Sequence, residues 1–301
     1  MTSQSGILLV DKPGGITSHD AVARTRKAAG TRKVGHAGTL DPMATGLLVL
    51  GINASTRLLT FVVGLDKEYL ATIRLGSSTS TDDAEGETVE TASAAAVAAI
   101  SDAVIAAGLD NFRGTVQQVP SSVSAIRVDG KRAYTLVRDG ETVELTARTV
   151  TISALELLGA TRGSGHLDLD VRVECSSGTY IRAIARDLGA ALGIGGHLTA
   201  LRRTRIGPFE ITEASKLDSM DVAAALVSPA TAASRLFATW SLSASEALDL
   251  SQGKRVPSTG DDAGPIAAIA PDGSLVGLVR RASGVAKSIV NFPRDEQQES
   301  K

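Results

Sequence analysis

The chain has 301 residues, 43% of them apolar and 21% charged. That is enough to bury a sizeable core, and at this length two domains are expected rather than one. Its single cysteine, Cys175, excludes an internal disulfide. With four scattered histidines and no neighbouring ligand at metal spacing, it speaks against a structural zinc site. No apolar run reaches the length of a signal-peptide core or a membrane span, so the expected setting is a reducing cytoplasm. The net charge of −2 hides a segregation: residues 11–36 carry six basic and two acidic groups, 127–138 four against one, and 197–208 three Arg and no acid. Separate basic clusters in a near-neutral chain suit either ordinary solvated faces or one face that binds a polyanion.

In chain order, GILLV (6–10) reads as a buried strand closed by the turn Lys12-Pro13-Gly14-Gly15. Ser18 is placed to cap a helix through HDAVARTRKAAG, with Gly30 just past its end. That helix puts Arg24 and Lys27 on one face, with Arg26 beside them. A turn at 35–46 leads into a strand at 47–50, and KEYLATIRLG (67–76) alternates as a strand does. The acidic run TDDAEGETVE (81–90) precedes an Ala-rich helical stretch at 91–108.

Residues 116–140 combine a proline-marked loop, a short strand ending at Asp129-Gly130, and a basic helix. HLDLDVRVEC (166–175) has strict period two and passes directly into a helix at SSGTYIRAIARDLGAALG. HLTALRRTRIGPF reads as a short helix followed by a basic loop. Residues 221–240 form a weakly patterned linker with some helix. A hairpin at Pro271-Asp272-Gly273, a strand at AKSIVNF and a polar tail follow. The whole reads as a mixed α/β main domain, 1–230, and a small β-rich module, 231–301.

Local chemistry alone does not specify a reaction. Asp41 in GHAGTLDPMATG suits an Asx turn or a helix cap. His36 could orient a phosphate or a base, or serve structure only. Tyr69 in a strand is ordinarily packing. Tyr180 and Arg182 straddle a helix start, where backbone N–H groups and a guanidinium welcome an anion. Cys175 has no histidine in its pattern to activate it. GTRKVGHAG lacks the spacing of a P-loop, and no dinucleotide fingerprint follows a strand.

Six ordered blocks between residues 6 and 210 carry a resemblance. GHAGTLDPMATGLLVLG resembles the catalytic motif of TruB-type tRNA pseudouridine synthases, whose G-T-L-D-P Asp is catalytic. GILLVDKPGGITSHDAV looks like the opening segment of that family. KEYLATIRLG is similar to its K-x-Y block, and QVPSSVSAIRVDGKRAYTLVRDG to its Q-x-P block, with Val123 where many members carry an aromatic. CSSGTYIRAIARDLG and LRRTRIGPF match two further blocks. The last third resembles the PUA-like C-terminal module of bacterial members.

The resemblance implies a largely antiparallel central sheet flanked by helices. It also implies isomerisation of uridine 55 to pseudouridine in the T-arm loop of tRNA, by cleavage of the C1′–N1 bond, rotation of the base and rejoining through C5. The catalytic set would be Asp41 as nucleophile or base, Tyr69 stacking on the flipped uracil and helping the proton leave C5, and Arg182 pairing with Asp41 and holding it ionised. Tyr180, His36, Lys12 and Leu201 would line the substrate pocket. Arg24, Arg26, Lys27, Lys131, Arg132, Arg202 and Arg203 would contact RNA phosphates. No metal, redox cofactor, guide RNA or membrane is implied, and a monomer is expected. A glycosidase-like hydrolase would want two carboxylates where the motif offers one. A purely RNA-binding protein would not need Asp41, Tyr69 and Arg182 together.

Overall fold

The computed structural model describes residues 4–121, 127–128, 131–132 and 146–293. Two compact units emerge, one of Met1–Leu40, Leu47–Val63 and Gly207–Lys301, the other of Asp41–Gly46 and Gly64–Ile206.

The first unit begins with β1 (Gly6–Lys12), α1 (Ser18–Ala29) and β2 (Val34–Ala37). It continues through β3 (Thr45–Ile52), whose first two residues belong to the second unit, and ends this segment with α2 (Leu59–Val63). Thr17, not Ser18, caps α1 in a reciprocal box with Asp20. The reason is that the Ser18 hydroxyl is engaged elsewhere, donating to Leu40 C=O at 3.1 Å and accepting from Leu40 N–H at 2.8 Å. Gly30 closes the helix at φ 65°, in the left-handed region that favours glycine. Leu8, Val10, Val22, Leu48, Leu50 and Ile52 build the core beneath α1.

The second unit carries the large antiparallel sheet. In chain order this unit has β4 (Lys67–Leu75), a separate antiparallel pair of β5 (Ser77–Thr79) and β6 (Thr88–Thr91), then α3 (Ala94–Ala98), α4 (Asp102–Asp110) and β7 (Gly114–Gln118). A two-residue pair, β8 (Arg127–Val128) and β9 (Lys131–Arg132), is followed by β10 (Arg148–Arg162), β11 (Leu167–Cys175), α5 (Ile181–Ala191) and β12 (Gly196–Ile206). The order β12-β4-β11-β10-β7 is antiparallel at every step. Tyr69, Ala71, Ile73 and Leu75 of β4 and Leu169, Val171 and Val173 of β11 point to the buried face, covered by α5 and α4. Each fully buried aliphatic chain contributes about 1.5–3 kcal/mol there.

Two further readings change. HLTALRRTR is strand β12 and not a helix. It pairs along its length with β4, and register shifts at Leu198/Ala200 and Arg203/Arg205 break the alternation that would have marked it. The Ala-rich helical stretch is divided into two short helices, each started by a serine cap, Ser93 and Ser101. The 15-residue β10 was not anticipated; two bulges disturb its period, and much of it is exposed. The basic helix after Gly130, Val123, and the tail from 294 lie outside the described residues.

The chain returns to the first unit through β13 (Phe209–Glu210), β14 (Ser215–Lys216), α6 (Val222–Ala225), β15 (Leu226–Val227) and α7 (Pro229–Leu236). β14 pairs parallel and β15 antiparallel with β1. A five-stranded sheet then collects β16 (Thr239–Ser241), β17 (Val256–Pro257), β18 (Ala263–Ile269), β19 (Leu275–Ala282) and β20 (Val285–Asn291) in the order β16-β18-β19-β20-β17. With α8 (Ala244–Ser251) it closes a core of its own around Leu250, Ile266, Val276 and Val279. The turn between β18 and β19 falls at Pro271–Gly273, where the local residues place it.

Candidate active site

Asp41 begins a turn closed by the Ala44 N–H, which donates to Asp41 C=O at 3.1 Å. Thr45 and Gly46 then pair in parallel with Arg202 and Arg203 of β12. Gly46 has φ +100°, and a Cβ there would lie 2.2 Å from the Arg203 carbonyl oxygen. Glycine therefore lets the Asp41 loop lie directly against β12.

Arg182, the second residue of α5, reaches this loop. Its Nε is 3.0 Å from Asp41 Oδ2, and its Nη1 is 3.3 Å from Asp83 Oδ2. Nη1 also donates to Thr81 C=O at 2.8 Å. The Arg182 and Asp83 side chains are 5% and 4% exposed, whereas Asp41 is 35% exposed. The guanidinium is thus anchored from beneath by one buried carboxylate and presents its other edge to a carboxylate open to solvent. Asp83 is itself held, accepting from Thr81 Oγ1 at 2.5 Å and from Glu85 N–H at 3.1 Å. A buried ion is tolerated only when paired and hydrogen-bonded, and this triad meets both conditions.

Tyr69 stands on β4, in register with Arg203 on β12. Burial pushes its phenol above the usual range, opposed by the Arg203 charge and its hydrogen bond; the Asp41 charge acts in the same direction as burial. The phenol therefore keeps its proton at neutral pH. Beside it, burial and the Arg203 charge bring the Lys67 ammonium down to about 8. Burial raises the Cys175 thiol to about 11, so Cys175 is a packed, protonated thiol.

The remaining candidates are dispersed. Tyr180 is the half-buried N-cap residue of α5. Leu201 lines a cavity of about 590 Å³ with Met43, Thr45, Leu70, Thr72 and Arg202. Arg202 is half-buried, its Nη1 3.4 Å from Thr45 Oγ1. Arg203, expected on the RNA backbone, is 1% exposed, which sets it under Tyr69 and away from any surface a phosphate could reach. In the first unit, Lys12 is fully buried and donates to Pro13 C=O at 2.9 Å and Ile16 C=O at 2.8 Å, bracing its own turn. His36 on β2 packs edge-on against His19, with ring centroids 5.5 Å apart. Arg24, Arg26 and Lys27 lie on the exposed face of α1, Arg24 bonded to Asp218 at 2.7 Å. The side chains of Lys131 and Arg132 lie outside the described residues.

Sequence reasoning missed Asp83, Thr81 and the placement of Arg203. The acidic run 81–90 was visible, but nothing local says which of its five acids folds inward.

Family models match almost the entire chain. "TruB family pseudouridylate synthase (N terminal domain)" covers residues 26–181, "tRNA pseudouridylate synthase B C-terminal domain" 182–239, and "tRNA Pseudouridine synthase II, C terminal" 237–293. The chain is 59% identical over 295 residues to tRNA pseudouridine synthase B of Leifsonia xyli subsp. xyli, covering 97% of this chain and 98% of that one. The corresponding protein of Thermobifida fusca is 50% identical over 291 residues, covering 95% and 98%. Among solved structures, a chain from a Cbf5-Nop10-Gar1 complex superposes with a TM-score of 0.71 at 25% identity, covering 97% of this chain and 87% of that one. A chain from an H/ACA RNP bound to a substrate RNA containing 2′-deoxyuridine gives 0.70 at 23% identity, with 96% and 86% covered, a likeness of fold. With a matching N-terminal family model and relatives aligned nearly end to end, the chain belongs to the TruB family of tRNA pseudouridine synthases.

Proposed function

We propose that this tRNA pseudouridine synthase acts on uridine 55 in the T-arm loop, with Asp41 as the residue that starts cleavage of the C1′–N1 bond. The observation that carries the reading is the triad Asp41–Arg182–Asp83, with the solvent-open carboxylate at one end. Attack on the ribose by Asp41 and its action as a base both require an ionised carboxylate, and the adjacent guanidinium favours that form. The three groups sum to −1. When the Asp41 charge is consumed in the reaction, Arg182 and Asp83 remain as a neutral pair, so no buried cation is stranded.

A uridine stacked in a loop is out of reach, so the target nucleotide must flip, at a cost of a few kcal/mol. Tyr69 supplies the apolar face for the flipped uracil in a chain with few rings, and Leu201 and Tyr180 complete the pocket. The Tyr69 hydroxyl stays protonated and bonded to Arg203. Arg24, Arg26 and Lys27, exposed on α1, contribute phosphate contacts, and residues 231–301 form an RNA-binding module. The enzyme works in the cytoplasm as a monomer without guide RNA.

The test is tritium release from a tRNA transcript labelled at uridine C5, with the product mapped to its position, for the wild type and Asp41→Asn. Release confined to position 55 by the wild type, with none from the variant and tRNA affinity within about threefold, is expected because binding is spread over many phosphates. Release from another position refutes the assignment to uridine 55, and turnover by Asp41→Asn refutes the role of Asp41.

A further inference from the structure

Residues 118–120 meet helix α5 at three successive positions. Gln118, a residue 4% exposed, accepts from Tyr180 N–H through its side-chain Oε1 at 2.7 Å and donates to Tyr180 C=O through Nε2 at 3.0 Å. Further along α5, Arg186 donates to Val119 C=O at 2.8 Å and Pro120 C=O at 3.5 Å. The same Arg186 lies 3.2 Å from Asp82, in the loop that supplies Asp83 to Arg182.

Tyr180 is the N-cap residue of α5 and makes no side-chain capping bond. The start of the helix is therefore held through the Tyr180 main chain and through the buried face that begins at Ile181. A primary amide offers one donor and one acceptor side by side, so Gln118 grips Tyr180 as a neighbouring strand would. Arg182 follows two residues later. We propose that Gln118 is a positioning residue for pseudouridine formation: its amide fixes the start of α5 and so aims the Arg182 guanidinium at Asp41. Gln118 touches no reacting atom and acts through Tyr180 and Arg182. The inference rests on the role given to Arg182 above.

The chemistry restricts what can replace it. Met keeps the length and loses both bonds. Asn is one methylene shorter and cannot span both Tyr180 groups from the same backbone position. Glu keeps the acceptor for Tyr180 N–H. As a carboxylate it opposes Tyr180 C=O, and as a neutral acid it restores a donor. Gln118 also ends β7, after which the chain enters the basic stretch 127–138, so an effect on RNA docking is the competing explanation.

The experiment is steady-state tritium release with full-length protein and tRNA, together with the exchange rate of the Arg182 Nε–H measured by ¹⁵N NMR and assigned by its loss in Arg182→Lys. Gln118→Met is expected to lower kcat about 100-fold, the scale of a misplaced catalytic group. Its KM should stay within about twofold, since uniform binding is untouched, while the Arg182 Nε–H exchanges faster. Gln118→Glu is expected to regain kcat as pH falls from about 8 to about 5, with no matching rise in the wild type. If Gln118→Met does not fold, the Gln118→Glu profile decides. A raised KM with kcat retained assigns Gln118 to RNA docking and overturns the proposal, as does unchanged kcat with unchanged exchange. Were Arg182→Lys itself fully active, the role of Arg182 would fail, while the exchange rates would still report whether Gln118 positions it.

Discussion

Replacing Arg182 with Met tests the electrostatic core of the site. The guanidinium lies 3.3 Å from the buried Asp83 and 3.0 Å from the more open Asp41. At that first separation and an effective dielectric of about 20, the attraction to Asp83 is about 5 kcal/mol. Much of it offsets the desolvation of two ions, so the net contribution of the pair is small. Removing the cation alone is different, because it strands the Asp83 carboxylate in the interior. The expected loss of folding stability is about 3–5 kcal/mol. Asp41 adds less, since solvent screens its side.

Adding Asp83→Asn removes the stranded charge and leaves an amide oxygen for the Thr81 hydroxyl and the Glu85 N–H. The double variant should therefore regain most of the loss while staying inactive. Urea unfolding of the full chain followed by circular dichroism measures both quantities. A single-variant loss under about 1 kcal/mol, the scale of exposed ion pairs, would refute the reasoning. So would a double variant no more stable than Arg182→Met.

Gly46→Ala places a methyl 2.2 Å from the Arg203 carbonyl oxygen at a φ of +100°. It should cost about 1–3 kcal/mol or more and reduce turnover together with stability; wild-type values for both would show that the loop does not depend on this close approach. Lys67, at about 8 against its ordinary 10.5, gives up its proton in the native state before the unfolded chain does. Wild-type stability should therefore rise relative to Lys67→Met as pH climbs through that window, because there the unfolded state binds more protons. A difference that stays flat between those two values in pH-dependent urea unfolding would rule this out.

Much of the local structure was legible because it is decided within a few residues. The glycine at 30, the turn at 271–273 and the strict alternation of Leu167–Cys175 each state their conformation through backbone freedom or period. Even so, Thr17 took the capping role expected of Ser18, because Leu40, distant in sequence, claimed the Ser18 hydroxyl. β12 escaped because its bulges shift the apolar positions by one, so Leu198 and Leu201 imitate helical spacing. The reaction itself became readable only through the resemblance of ordered blocks, since Asp41 by itself is an unremarkable turn residue.

The sequence by itself determined which side chains were available: a lone motif carboxylate, a strand tyrosine, and an arginine just inside a helix. Only the tertiary structure decided how they are charged and held. Asp83 becomes the inner anchor of Arg182 because the β5–β6 turn folds onto α5, and Arg203 leaves the surface because β12 sets it opposite Tyr69. Burial and the distance between charges determine whether an acid or a base stays ionised, and both arise only when segments remote in sequence pack together.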